Sequence, residues 1–178
     1  MRLQCLVPLC FFLLLSGWPG QRSEARTVIL EKCVVNVHMS ELHKHYSGLR
    51  ASAISGDAAI EVKLLDKEMI KSLKEGQTCC FLRLLLRFYV ERVFVSFSAS
   101  QVEQQREASA VANGFVSLRN NIHKCHCQCE EDTQRSMDSI IAEFDELPRG
   151  EAAKKAVGEL DTVLSWLEVL SPKTRSRK

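Results

Sequence analysis

The cysteines are the residues of this chain whose type and spacing point most clearly to chemistry. The sequence contains eight of them, of which Cys5 and Cys10 lie in an apolar N-terminal segment. The others form a single residue, an adjacent pair and a C-x-C-x-C cluster: Cys33, Cys79, Cys80, Cys125, Cys127 and Cys129. Such thiols can form disulfides or bind a metal as thiolates, and the cellular compartment decides between the two.

The N-terminal segment, residues 1–25, has the features of a secretory signal peptide. Arg2 supplies a positive charge, residues 6–15 form an apolar run too short to span a bilayer, and small residues lead up to Ala25. We therefore expect residues 1–25 to be removed, with cleavage after Gly20 as the alternative. Because no second long apolar run follows, we expect the mature chain to be secreted, extracellular and not inserted in a membrane.

An oxidising environment favours disulfides among the cysteines that remain after cleavage. Adjacent cysteines on a helix point about 100° apart, so Cys79 and Cys80 should each pair with a distant cysteine. The cluster at residues 125–129 can supply two of these partners, which leaves Cys33 for the third bond. The spacing therefore predicts three disulfides.

A zinc site is the alternative for the cluster, because His123 and His126 lie beside its cysteines. However, C-x-C-x-C lacks the gap of two to four residues that usually separates zinc ligands. We therefore predict that no metal is bound there.

No other pattern in the sequence is typical of an active site. The chain has no glycine-rich phosphate loop, no G-x-S-x-G and no H-E-x-x-H. Glu159 and Asp161 are two residues apart on a predicted helix, so they should face different directions. His38, His43 and His45 lie on another predicted helix and should be solvated. We predict no catalytic residue, no enzyme activity and no cofactor.

The element that should organise the fold is a helix over residues 79–97, CCFLRLLLRFYVERVFVSF. Its apolar residues recur at steps of mostly three and four and cover most of its circumference. Only Arg83, Arg87 and Glu91 form a continuous charged stripe. A helix that is apolar on nearly every side must be enclosed by other elements.

The same periodicity predicts further helices over residues 35–55, 100–122, 130–147 and 151–170. Residues 60–73 are expected to form a long connection with one or two helical turns, and no stretch is a convincing strand. We therefore predict an all-α bundle with crossover connections, comprising one domain over residues 26–170 and a disordered basic tail over 171–178. The net charge of +2 gives no basic field that would favour nucleic acid.

Several segments occur together and in order: CCFLRLLLRFYVERVF from Cys79, SAVANGFVSLRNNIHKC from Ser109, HCQCEE from His126 and KAVGELDTVLSWLE from Lys155. In combination they resemble the interleukin-10 family of class II helical cytokines, most of all its interleukin-19/interleukin-20 branch. The resemblance implies a monomeric cytokine bundle of six or seven helices. It also implies binding to a heterodimeric class II cytokine receptor of the interleukin-20 receptor type, which triggers JAK-STAT signalling in immune or epithelial responses.

The resemblance also implies particular residues. Its disulfide pattern pairs Cys33 with Cys125, Cys79 with Cys127 and Cys80 with Cys129. Receptor contacts in the family come mainly from the first helix with the connection after it, from the last helix, and from the helices on the second receptor's side. On the polar positions of those helices, the candidates are Glu41, Lys44, His45, Arg50, Lys154, Asp161 and Glu168.

A disulfide-stapled helical lipid-binding protein is the alternative function, since saposin-like modules are also helical and have six cysteines. The adjacent pair and the C-x-C-x-C cluster do not have the spacing of such modules. The cytokine interpretation is therefore preferred.

Overall fold

A computed structural model describes residues 25–55, 61–99 and 101–172. The predicted signal peptide up to residue 24 and the basic tail from residue 173 onward lie outside the described residues. Ser100, the expected start of one predicted helix, also lies outside them.

A β-hairpin begins the described chain, and the prediction that no strand is present was wrong. Strand β1 (Arg26–Leu30) pairs in antiparallel register with β2 (Cys33–Val37), with Ile29 opposite Val34. Glu31, which has a φ of 50°, and its neighbour form the two-residue turn. The first helix was predicted to begin at Val35 but begins at Met39, because the β-branched residues of β2 favour a strand.

The helices follow in the order expected from the sequence. They are α1 (Met39–Ser55), α2 (Met69–Ser72), α3 (Thr78–Phe88), a π-helical turn (Tyr89–Val93), α4 (Phe94–Ser96), α5 (Val102–His123), α6 (Glu131–Glu146), α7 (Arg149–Gly158) and α8 (Leu160–Val169). The predicted helical bundle is confirmed, as is a long connection between α1 and α3 that contains one short helix. Across the described ranges, no helix is both long enough and apolar enough to span a membrane.

The central helix consists of α3, the π turn and α4, and it is enclosed as predicted. Phe81, Leu82, Leu85, Leu86 and Tyr89 have no exposed surface. Helices α5 and α6 pack against α3, while α5 and α7 pack against the π turn. The sequence predicted that this helix is apolar on nearly every side, and other helices thus cover it on several sides.

The π turn is the one departure from a regular central helix. A π turn adds a residue to the helical turn and so rotates the residues that follow it. Phe94, directly after the turn, lies with its ring 5.9 Å from that of Tyr89 and 5.4 Å from that of Phe115 on α5. The rings of Tyr89 and Phe115 are themselves 5.5 Å apart. The turn therefore leads into an aromatic cluster against α5.

The predicted last helix, residues 151–170, is divided into α7 and α8. The break falls at Glu159, which is outside both helices with φ −93° and ψ 6°. The apolar positions keep a helical period across it, so periodicity alone did not indicate the break.

Three disulfides join the start of α3, the segment after α5 and the hairpin. The structure pairs Cys33 with Cys125, Cys79 with Cys127 and Cys80 with Cys129, with Cα atoms 5.8, 5.6 and 5.3 Å apart. These are the pairs that the family resemblance implies. They hold one end of the bundle together.

We predict that replacing Phe115 with alanine lowers the free energy of unfolding by about 3–5 kcal/mol, because the residue is fully buried against two aromatic rings. The matched control is Val102→Ala, a change on the same helix at a residue that is 75% exposed. That change should stay within about 0.5 kcal/mol. Urea denaturation of both variants measures the difference, and equal effects would contradict this description of the core.

Candidate functional site

The cysteine cluster does not provide a metal site in this fold. All six cysteine sulfurs of the described residues are in disulfides, so none of them is free to bind zinc as a thiolate. Within the part of the chain that the structure describes, no group of three or more His, Cys, Asp or Glu residues could hold a metal ion. The remaining candidates for a functional site are the polar residues on the surfaces of the helices.

The polar residues of α1 lie on three sides of the helix. Glu41 and His45 lie on the side facing α5, where His45 Nδ1 is 2.6 Å from Glu107 Oε2. Lys44 is exposed on the outer side. Arg50 is exposed toward α8, on the same side as His43. The candidates predicted on the first helix therefore divide between two surfaces, with Lys44 between them.

A contact between two polar side chains joins α1 to the end of α8. His43 Nε2 is 2.9 Å from Glu168 Oε1, and both side chains are nearly half exposed. Glu168 was a predicted candidate, whereas His43 was expected only to be solvated. The pair places the polar sides of the first and last helices next to each other.

Arg50 and Asp161 come together around the hydroxyl of Tyr46. That hydroxyl donates a hydrogen bond of 2.9 Å to the Gly158 carbonyl at the end of α7. Burial, followed by the negative charge of Asp161, raises the pKa of Tyr46 to about 12, and Arg50 opposes this shift. Both charged residues therefore lie near the α7–α8 break. We call the surface formed by His43, Arg50, Asp161 and Glu168 the α1–α8 surface.

The remaining predicted candidate, Lys154, lies half-buried on α7. No ion pair or hydrogen bond places it with the residues of the α1–α8 surface. Its contribution to a site stays a prediction.

The connection after α1 is fastened at the same break by Glu159. Its Oε1 accepts a hydrogen bond of 3.2 Å from the Leu64 amide, and its Oε2 accepts one of 2.7 Å from the Leu65 amide. The Lys155 ammonium lies 3.6 Å from Oε1. Burial raises the pKa of Glu159, and the two backbone hydrogen bonds and Lys155 oppose that rise.

A second tie fastens the connection to α8. The Trp166 indole donates a hydrogen bond of 3.0 Å to the Lys67 carbonyl. Leu64 and Leu65 are buried, whereas Lys63, Asp66 and Lys67 are exposed. The backbone of residues 64–67 is therefore held at both ends, and the charged side chains of this part of the connection face solvent.

Sequence reasoning missed the roles of His43 and Glu159. Glu159 was judged only as a possible partner of Asp161, and the break that frees its side chain was not predicted. The available signal was GELD itself, in which a glycine precedes two acidic residues within a helical pattern. Glycine inside a helix can mark a break or a close contact.

A second surface is a groove between α1 and α5 of about 360 Å³, which we call the α1–α5 groove. Polar residues from both helices line it, among them Glu41, His45, Asn113 and Ser117. Gly114 allows the helices to approach closely, since a Cβ atom there would lie only 2.6 Å from a Leu42 methyl carbon. The groove lies on the side of α1 away from the α1–α8 surface.

We predict that Glu159→Gln changes how the free energy of unfolding depends on pH. Because the folded state raises the pKa of Glu159 above 4.5, it binds the proton more tightly than the unfolded state does. This stabilisation is complete below the unfolded pKa and is lost as the pH rises through the folded pKa. As the pH rises from the unfolded pKa of Glu159 through its folded pKa, the free energy of unfolding of the wild type should therefore fall relative to that of the variant.

Urea denaturation between about pH 4 and pH 7 measures this difference. Glu143→Gln, at an exposed position on α6, is the control. A Glu159→Gln curve that stays parallel to that of the wild type would contradict the prediction.

Known proteins that are similar to this chain in sequence and fold are helical cytokines. Residues 26–170 match the family described as "Interleukin 22 IL-10-related T-cell-derived-inducible factor". Mouse interleukin-20 is 33% identical over 148 residues, covering 80% of this chain and 84% of the relative. Mouse interleukin-19 is 28% identical over 143 residues, covering 78% and 81%.

The solved structures agree with this result. The crystal structure of human interleukin-19 matches with a TM-score of 0.70 and 27% identity, covering 74% of this chain and 88% of that one. An edited human interleukin-24 matches in fold with a TM-score of 0.65. Such cytokines are not enzymes, and the lipid-carrier alternative is set aside. This chain belongs to the interleukin-10 family of helical cytokines, in its interleukin-19/interleukin-20 branch.

Proposed function

We propose that the mature chain is a secreted, monomeric cytokine that brings together two class II receptor chains of the interleukin-20 receptor type. Their association would start JAK-STAT signalling in immune or epithelial target cells. Family membership supports the cytokine role. The observation that carries the two-receptor proposal is that α1 borders two separate polar surfaces.

The α1–α8 surface is the proposed site of one receptor chain. It combines α1 with the last helix, and we assign to the same receptor chain the exposed Lys63, Asp66 and Lys67 of the connection, which is tied to Glu159 and Trp166. These exposed charges are suited to complementary charges on a receptor, which speed association and select the partner. The predicted candidates Arg50, Asp161 and Glu168 belong to this surface.

The α1–α5 groove is the proposed site of the second receptor chain. Glu41 and His45, two predicted candidates, line it together with residues of α5. Since the groove and the α1–α8 surface lie on different sides of α1, both can be occupied at once. Lys44, on the outer side between them, is available to either receptor.

We also propose that residues 1–25 are a cleaved signal peptide. The family match begins at residue 26, directly after the predicted cleavage site. The domain would then be residues 26–170, followed by a basic tail. Mass spectrometry of the secreted protein's N-terminus tests the cleavage site.

We predict that the oxidised mature chain forms a ternary complex with one pair of class II receptor ectodomains. The measurement is binding to purified ectodomains, singly and in pairs, with light scattering to determine the stoichiometry. Failure to bind any of them, by a monodisperse helical protein without free thiols, would overturn the proposed function.

We predict that Glu168→Lys and Glu41→Lys each weaken binding of a different receptor chain, by roughly tenfold or about 1.4 kcal/mol. Each change reverses one charge on only one of the two surfaces. Glu143→Lys, at an exposed position on α6, is the matched control, and this variant should bind both receptor chains normally. Surface plasmon resonance with single ectodomains separates the effects. Loss of the same receptor chain by both variants would contradict the assignment of two surfaces.

A further inference from the structure

We propose that Glu159 is a positioning residue for receptor binding. Its carboxylate holds the connection at residues 61–68 against the α7–α8 break. It thereby fixes the exposed Lys63, Asp66 and Lys67, which we assign to the same receptor chain as the α1–α8 surface. This inference rests on the proposed function and adds a residue that need not touch the receptor.

The hydrogen-bond geometry fixes the orientation of the connection as well as its position. Two consecutive amides, those of Leu64 and Leu65, donate to the two different oxygens of one carboxylate. A single hydrogen bond would still allow the backbone to rotate about it, whereas two hydrogen bonds to one rigid planar carboxylate oppose that rotation. The Glu159 side chain is only 14% exposed, so water cannot readily replace these contacts.

The backbone that carries the Glu159 carboxylate is itself held in place by hydrogen bonds. The Glu159 amide donates to the Lys155 carbonyl, and its carbonyl accepts from the Thr162 amide. Tyr46 donates to the carbonyl of Gly158, and Tyr89 donates to that of Ala156. The break is therefore fixed from α1 and from the π turn.

The connection has few other restraints. Residues 61–68 contain no helix or strand, and their position depends on the buried Leu64 and Leu65, the Trp166 hydrogen bond and Glu159. The charged side chains between these anchors point outward, with Lys63 59% and Asp66 60% exposed. Loss of the carboxylate would leave the leucines buried but remove the contact that orients the backbone between the charges.

Glu159→Gln is the sharpest test because it preserves size while replacing one acceptor oxygen with a donor. We expect faster hydrogen exchange at the Leu64 and Leu65 amides. Binding of the receptor chain that uses the α1–α8 surface should weaken about tenfold, while binding at the α1–α5 groove should not change. Thr133→Val is the matched control, since it removes a buried hydrogen bond to Gln77 at the start of α6 without touching the connection or the α7–α8 break.

A double-mutant cycle separates positioning from a general loss of stability. Lys63→Glu should alter receptor affinity in the wild type and have a smaller effect in Glu159→Gln, because the charge is no longer held in place. If Glu159→Gln does not fold, Glu159→Asp, which keeps the charge but shortens the side chain, is measured with the same readouts.

The results distinguish this inference from the proposed function. Receptor binding that is unaffected by Glu159→Gln, or weakened equally by Thr133→Val, would overturn the inference alone. Additive effects of Lys63→Glu and Glu159→Gln would overturn it as well. A wild type that binds no receptor chain would overturn the proposed function and this inference with it.

Discussion

Enclosure of the central helix is the constraint on which the rest of this structure depends. Its side chains are apolar on nearly every side, and burial of each large one contributes about 1.5–3 kcal/mol before the cost of ordering the chain. Helices α5, α6 and α7 cover it, together with Trp166 of α8, whose ring is 5.8 Å from that of Phe81. Helix α1 packs mainly against α5, α7 and α8. Its polar sides are consequently left free for partners.

The start of the central helix is held by groups from other elements. The Glu31 carboxylate, in the hairpin turn, accepts hydrogen bonds from the Cys79 amide. The buried Gln77 side chain accepts hydrogen bonds from Glu130 and Thr133 at the start of α6. The disulfides add to these ties, and a loop as long as that closed by Cys33 and Cys125 is worth up to about 4–5 kcal/mol in the chain-entropy view. This end of the bundle is therefore covalently fixed, whereas the connection at Glu159 is held by hydrogen bonds and burial.

Prediction from the sequence succeeded where apolar periodicity determines the structure. The central helix, α5 and α6 follow directly from it. The hairpin was missed because Val35, Met39 and Leu42 also step by four and three. Its turn, Glu31 and Lys32, lacks the glycine or asparagine that marks most two-residue turns. The candidate surfaces could be predicted only as polar positions, since the partner of His43 is 125 residues away and those of Glu159 are 94 and 95 residues away.

The cross-helix pairs that border the two surfaces are better suited to recognition than to stability. An exposed ion pair contributes only about 0–1 kcal/mol, so the contact between His43 and Glu168 adds little to the fold. The pair of His45 and Glu107 is less exposed, at 32% and 28%, yet it too lies at the edge of a groove. A receptor can therefore exchange its own charges for these contacts at small cost to the bundle. Glu159 is the opposite case, because its buried bonds cannot be replaced by a partner. In the proposed arrangement, a buried residue orients the connection and exposed residues bind the receptor.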